Sequence, residues 1–189
     1  MRGMAMTEEM IDVLHEDGTP TGRSKPKSEI HRDGDWHRTA HLWIVTPDDR
    51  VLLQLRASTK VNHPSLWDIS VAGHVDAGEA PETAAIREAR EEIGIEIAVE
   101  ELMHIGTVRE QWVIEERGYF DNEIQQIYFV RREIDPAVLE LQASEVDDVA
   151  LVSFDEFRER VVRRDATLVG HWEEYESVLE YVERDVAPR

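Results

Sequence analysis

The stretch GHVDAGEAPETAAIREAREEIGI, residues 73–95, leaves this chain little freedom in how it folds. Pro81 suits the first position of a helix, Glu82 complements the helix dipole, and Gly94 is placed to stop the helix in a left-handed conformation. Between them Ala85, Ile86, Ala89 and Ile93 recur at helical spacing, which predicts one helix with an apolar face laid on a sheet. Glu88, Glu91 and Glu92 make a contrary demand. Residues three or four apart share a helix face, so Glu88 adjoins both of the others, and a like-charged pair at that spacing costs about 0.2–0.5 kcal/mol in an isolated helix. Taken alone, the string reads as a solvated charged face.

The rest of the chain supplies the sheet. EEMIDVLHEDGTPTGRSKP reads as two short strands around an Asp17-Gly18 turn, followed by a charged loop, EIHRDGDWHR. AHLWIV and VLLQLR, joined by Thr46-Pro47-Asp48-Asp49, read as a hairpin, and WDISVAG as a strand running into the helix. Strands resume at LMHIGTV, NEIQQIYFV and DVALVSF. The capping box Ser153 to Glu156 announces a helix over 154–164, and a last amphipathic helix carries Trp172, Tyr175, Leu179 and Val182 on one side. This order predicts an α+β fold, helices packed on a mostly antiparallel or mixed sheet, in one domain over 1–189 with residues 1–8 as a flexible start. Trp43, Trp67 and Trp172 are expected to pack, with Trp36 unassigned.

Composition then narrows the chemistry. The chain has no cysteine, which excludes disulfides, thiolate metal sites and a thiol nucleophile, and fits a reducing cytoplasm. It shows no signal peptide and no apolar run of membrane-spanning length. Its 41 acidic and 21 basic residues give a net charge of −20, a field that repels nucleic acid and anionic lipid. Neither is an expected partner. Lys25, Lys27 and Lys60 are its only lysines, and an acidic, lysine-poor surface suits a salt-rich cytoplasm.

Set in context, the glutamates become specific. Gly73, five residues, Glu79, seven residues, then Arg87-Glu88-Ala89-x-Glu91-Glu92-x-Gly94-Ile95 resembles the Nudix box at every fixed position, with Ala89 smaller than usual in one aliphatic slot. The resemblance implies a Nudix-type α/β/α sandwich with a central mixed sheet, the box helix and C-terminal helices. It implies Mg²⁺ (or Mn²⁺) held by Glu88, Glu91 and Glu92 with the Gly73 carbonyl, because hard divalent cations take oxygen ligands and leave room for substrate phosphates. A cation among three carboxylates removes their repulsion and offsets the charge of a diphosphate substrate. Arg87 is expected to hold Glu91 or its neighbour, and Glu79 to orient the cluster. Glu123 is the candidate acidic residue from outside the box, as ligand or general base, with Asp121 on the same side of its strand.

A second likeness comes from HRDGDWHRTAHLWI, VLLQLR and WDISVAGH, which is similar to the branch containing type I isopentenyl-diphosphate isomerases. That branch carries a further metal site, and the matching positions are His31, His37, His74, Asp121 and Glu123. His74 is the strongest of the histidines as a ligand, while His41, inside AHLWIV, is expected to pack. The isomerases use a cysteine just before this Gly-His, where Ala72 stands, and a methyl group cannot exchange a proton.

Three readings follow. The leading one is a hydrolase cleaving the diphosphate linkage of a nucleoside diphosphate derivative or similar small organic diphosphate. The others are an isomerase-like enzyme and a non-catalytic Nudix-like ligand sensor. The substrate and the oligomeric state, a homodimer included, are left open.

Overall fold

The structure, a computed structural model, describes residues 8–186. The expected flexible start therefore lies outside the described residues except for Glu8, which accepts a hydrogen bond from Ser28 N at 2.8 Å. No helix among the described residues is long and apolar enough to cross a membrane.

The spine of the fold is β3 (Trp36–Val45). One edge pairs in parallel with β8 (Tyr119–Arg131), from Trp36↔Asn122 to Val45↔Arg131, and the other antiparallel with β6 (Val71–His74). β7 (Met103–Ile114) extends the sheet beyond β8. The hairpin of β1 (Met10–Leu14) and β2 (Pro20–Pro26) joins at the start of β3 through Leu14↔Trp36. The sheet is thus mixed and the fold α+β.

Alternation along β3 and β8 divides the core. Ala40, Leu42, Ile44, Tyr128 and Val130 face α2 (Pro81–Ile93), whose Ala84, Ala85, Ala89 and Ile93 are buried against them. Trp43, Val45, Ile127 and Phe129 face the other way, under α3 (Phe154–Val162) and α4 (Trp172–Val186). The termini of α2 follow expectation: Pro81 opens it, and Gly94 closes it at φ 73°, ψ 22°. Ser153 caps α3, its hydroxyl accepting from Glu156 N at 3.2 Å.

Three expectations need correction. The loop EIHRDGDWHR contains a helix, α1 (Lys27–Asp33), which buries Ile30 and His31 and stops at Gly34 with φ 69°. The expected hairpin of β3 with β4 (Arg50–Arg56) is only a corner, paired at Val45↔Val51, because β6 and β8 occupy the two edges of β3. β4 turns away to pair with β9 (Val146–Ser153) and β5 (Trp67–Asp68). WDISVAG accordingly breaks into β5 and β6. Ser70, at the break, accepts from Ile44 N at 2.9 Å and donates to Leu52 O at 2.6 Å, bridging the two strands as they part. Trp43 is buried, and Trp67 and Trp172 pack against the same core; Trp36 lies under the Arg109 guanidinium, 5.5 Å from the ring centroid.

Candidate active site

The sheet face that α3 and α4 cover at one end is open at the other. There the alternating residues turn polar: His37, Thr39 and His41 on β3, Asp121, Glu123 and Gln125 on β8. These strands, β6 and one end of α2 enclose a cavity of about 530 Å³. Glu88, Glu91, Glu92, Gly73, His74, Asp121 and Glu123 all line it, so the fold brings together the carboxylates of the helix and the candidates from outside it.

Gly73 is what lets α2 reach the cavity. A Cβ there would lie 2.2 Å from Glu88 Cδ, so Glu88 can cross the edge strand only where a side chain is absent. Glu92 is buried one turn on, 3.4 Å from Ala72 N, while Glu91 stands exposed at the rim. Burial pushes Glu92 up to about 8, with Glu88 adding to the shift. Glu88 is pushed up to about 7 by burial, against the pull of Arg87. Carboxylates this reluctant to ionise suit a site meant for a cation.

Arg87 and Glu79 stand behind the wall and do not line the cavity. The guanidinium donates to Glu79 through Nε at 3.1 Å and Nη2 at 2.9 Å, to Glu88 through Nη1 at 2.7 Å, and to the His74 carbonyl at 2.9 Å. Of the two expected partners it grips Glu88; Glu91 is 3.5 Å away. Glu79 also accepts from Asp76 N at 3.1 Å, which ties the loop before α2 to the same hub.

A second cluster joins four elements: His31 from α1, His37 from β3, His74 from β6 and Asp121 from β8, with one candidate ligand atom from each lying within 4.8 Å of the others. His31 Nδ1 is 2.9 Å from Lys27 O and His37 Nδ1 3.2 Å from Asp35 O, an arrangement that turns both Nε2 atoms inward. His31 Nε2 and His37 Nε2 lie 3.2 and 3.5 Å from one Asp121 oxygen, and His74 Nε2 faces His31 Nε2 at 3.4 Å. His37 Nε2 and Asp121 Oδ1 are buried without a hydrogen-bond partner, an arrangement that a cation between them would satisfy. Burial pulls His37 down to about 4 and His74 well below its usual value, keeping both imidazoles neutral, as metal ligands must be. Asp121 sits below the usual carboxylate range: burial raises it, but His31 and His37 more than offset this.

The rear of the cavity holds residues that local sequence signals missed. His41, expected to pack, is buried and also lines the cavity, with Nδ1 2.8 Å from Glu174 of α4. His171, just before α4, is bonded to Glu110 and held up to about 10, burial being outweighed by Glu110 and Asp68. Arg56 Nη1 donates to Asp68 at 2.8 Å. Two of the three lysines, Lys27 and Lys60, stand at the cavity wall, paired with Glu9 and Glu145. The scarcity of lysine was the one signal that could have singled these out.

The NUDIX domain family matches residues 35–177. Nudix hydrolase 3 of Arabidopsis thaliana is 39% identical over 170 residues, which cover 88% of this chain and 22% of the plant protein; the chain thus spans about a fifth of that relative's length. An isopentenyl-diphosphate Delta-isomerase of Streptomyces avermitilis is 29% identical, over 80% of this chain and 74% of its own. The crystal structure of DR0079 from Deinococcus radiodurans superposes with a TM-score of 0.64 at 18% identity, covering 93% of this chain and 98% of the other, a likeness of fold. With the box intact and the sandwich built around it, the chain belongs to the Nudix hydrolase family.

Proposed function

We propose that the chain is a divalent-metal-dependent hydrolase that cleaves the phosphoanhydride of a nucleoside diphosphate derivative or a comparable small organic diphosphate. The carrying observation is the passage of Glu88 over Gly73 into a cavity that Glu92 and Glu91 also line. Three carboxylates and a backbone carbonyl are the oxygen donors that Mg²⁺ or Mn²⁺ prefers, and the burial-raised Glu88 and Glu92 fit a cation in that place. Glu88, Glu91, Glu92 and the Gly73 carbonyl would hold it. When bound, such an ion supplies a water of lowered pKa and a counter-charge for the diphosphate.

The chain's own residues do the rest. Arg87, gripped by Glu79, keeps the Glu88 carboxylate aimed inward. Glu123, on the β8 wall of the cavity, takes the proton from the attacking water. Arg56, Lys27 and Lys60 give a polyanionic substrate a cationic lining inside a protein of net charge −20. His74, with His31, His37 and Asp121, would hold a second divalent ion that accepts nitrogen ligands. The cysteine-free composition fits a reducing cytoplasm.

The test is a screen with Mg²⁺ or Mn²⁺ of ADP-ribose, a diphosphate-linked sugar, isopentenyl diphosphate and thiamine diphosphate, with products identified by mass. Metal-dependent cleavage that Glu91→Gln or Glu92→Gln nearly abolishes is the expected result. Wild-type rates in either variant would refute the ligand assignment. Isomerisation of isopentenyl diphosphate is the second reading, favoured by the histidine cluster. Ala72 opposes it by leaving no thiol at the cavity wall, and absence of dimethylallyl diphosphate in the same screen removes it.

A further inference from the structure

The N-terminal end of α4 reaches Glu123 by two separate chains of polar side chains, all buried except the half-buried Glu110. His171 stands immediately before the helix, its carbonyl accepting from Tyr175 N at 2.9 Å, and Glu174 lies three residues on, so the two share a face. In the first chain, Glu174 is fully buried and accepts from His41 Nδ1 at 2.8 Å and from Trp43 Nε1 at 2.7 Å. With Nδ1 taken, His41 presents Nε2 to the cavity, 4.0 Å from Glu123 Oε2. In the second, His171 Nδ1 is bonded to Glu110, and its Nε2 is 3.5 Å from Asp68 Oδ1. Glu110 Oε2 accepts from Gln125 Nε2 at 2.8 Å, and the same Nε2 donates to Glu123 Oε2 at 2.9 Å. Glu123 is thereby flanked by Gln125 on its own strand and by His41 on the next.

Stability does not explain this construction. Burying charges costs desolvation, and replacing buried ion pairs by apolar side chains of similar volume is often neutral or stabilising. What such pairs can provide is a fixed geometry. His41 also sits opposite Ala72 in the β3–β6 ladder, where the small methyl group leaves room for the imidazole in the cavity wall.

We propose that Glu174, His41 and Gln125 are positioning residues that hold the Glu123 carboxylate in its working orientation, so that the C-terminal helix is part of the active-site scaffold. This rests on the reading of Glu123 as the group that takes the proton from water. The chain of support is the kind whose loss typically costs activity while leaving substrate binding in place.

The experiment is a double-mutant cycle on the fastest substrate of the screen, with kcat and KM measured separately. Glu174→Gln turns an amide N–H toward one of two donors that now share a carboxylate, and should lower kcat roughly 10- to 100-fold with KM within about twofold. In a Glu123→Gln background the same substitution should cost less than about twofold, because the group it positions is already gone. Gln125→Met removes the amide that Glu123 and Glu110 share without substituting a residue of α4, and it carries the test, with the same expected loss of kcat, if Glu174→Gln fails to fold. Equal losses in both backgrounds, or no loss in the wild-type background, overturn the proposal while leaving the role of Glu123 intact. A Glu123→Gln enzyme with wild-type kcat overturns both.

Discussion

Gly73→Ala puts the geometry of the carboxylate cluster to a direct test. Gly73 has an ordinary backbone conformation, so the substitution adds only a methyl group and no backbone strain. That methyl would lie 2.2 Å from Glu88 Cδ and 2.3 Å from both Cγ and Oε1. Nonbonded carbons settle at about 3.5–4.0 Å, so Glu88 must retreat by more than ~1 Å or β6 must give way. Overpacking of this kind costs about 1–3 kcal/mol of stability. The catalytic effect should be larger. Glu88 is held from behind by Arg87 at 2.7 Å, and any retreat carries its carboxylate out of the cavity. Misplacement by 1 Å can cost about 100-fold, close to 2.7 kcal/mol in the barrier. The assay is hydrolysis under saturating substrate across a Mn²⁺ titration, beside a thermal melt. Gly106→Ala, where an added Cβ meets nothing within 4 Å, is the control. A Gly73→Ala protein with wild-type kcat and an unmoved metal midpoint would show that Glu88 is not needed where the structure puts it.

Arg87→Lys keeps the charge but cannot serve Glu79, Glu88 and the His74 carbonyl together, so turnover should fall roughly 10- to 100-fold with the fold intact; an unchanged kcat would contradict the hub. Burial pushes Glu88 and Glu92 up to about 7 and about 8, above the ordinary carboxylate range near 4.5, which makes their ionisation unfavourable to the native state. The folded protein therefore holds more protons than the unfolded chain between those limits, and metal-free stability should fall as pH rises from about 4.5 to 8. Mg²⁺ should restore the melting temperature, more at pH 8 than at pH 5, and a metal-free Tm that climbs over this range would argue against the burial effect. The 41 acidic residues repel one another, so Tm should rise as KCl is added; flat or falling values would remove the link to a salt-rich cytoplasm.

The box helix was legible because everything that defines it is local. Pro81, Gly94 and the Ala85–Ile93 stripe lie within one short stretch, and helix geometry alone places Glu88 beside Glu91 and Glu92. The missing thiol at Ala72 was equally plain, since composition is indifferent to folding. The division of labour among the glutamates was not: that Glu88 and Glu92 turn inward while Glu91 stays at the rim depends on which side of α2 meets β6. The β3–β4 segment, with its turn residues, looked like a hairpin, and only competition from β6 and β8 for the edges of β3 reduced it to a corner.

The amino-acid order by itself determined the α+β architecture, the helix with its three carboxylates and the family to which they point. The second resemblance had named His31, His37, His74 and Asp121 as one set, and tertiary structure supplied their convergence; tertiary structure alone decided that His41 answers to Glu174, 133 positions away. Periodicity and capping are set by neighbours a few residues apart. A contact between distant positions leaves no such pattern, because it exists only once parallel pairing of β3 with β8 and the docking of α4 have carried the side chains to one place.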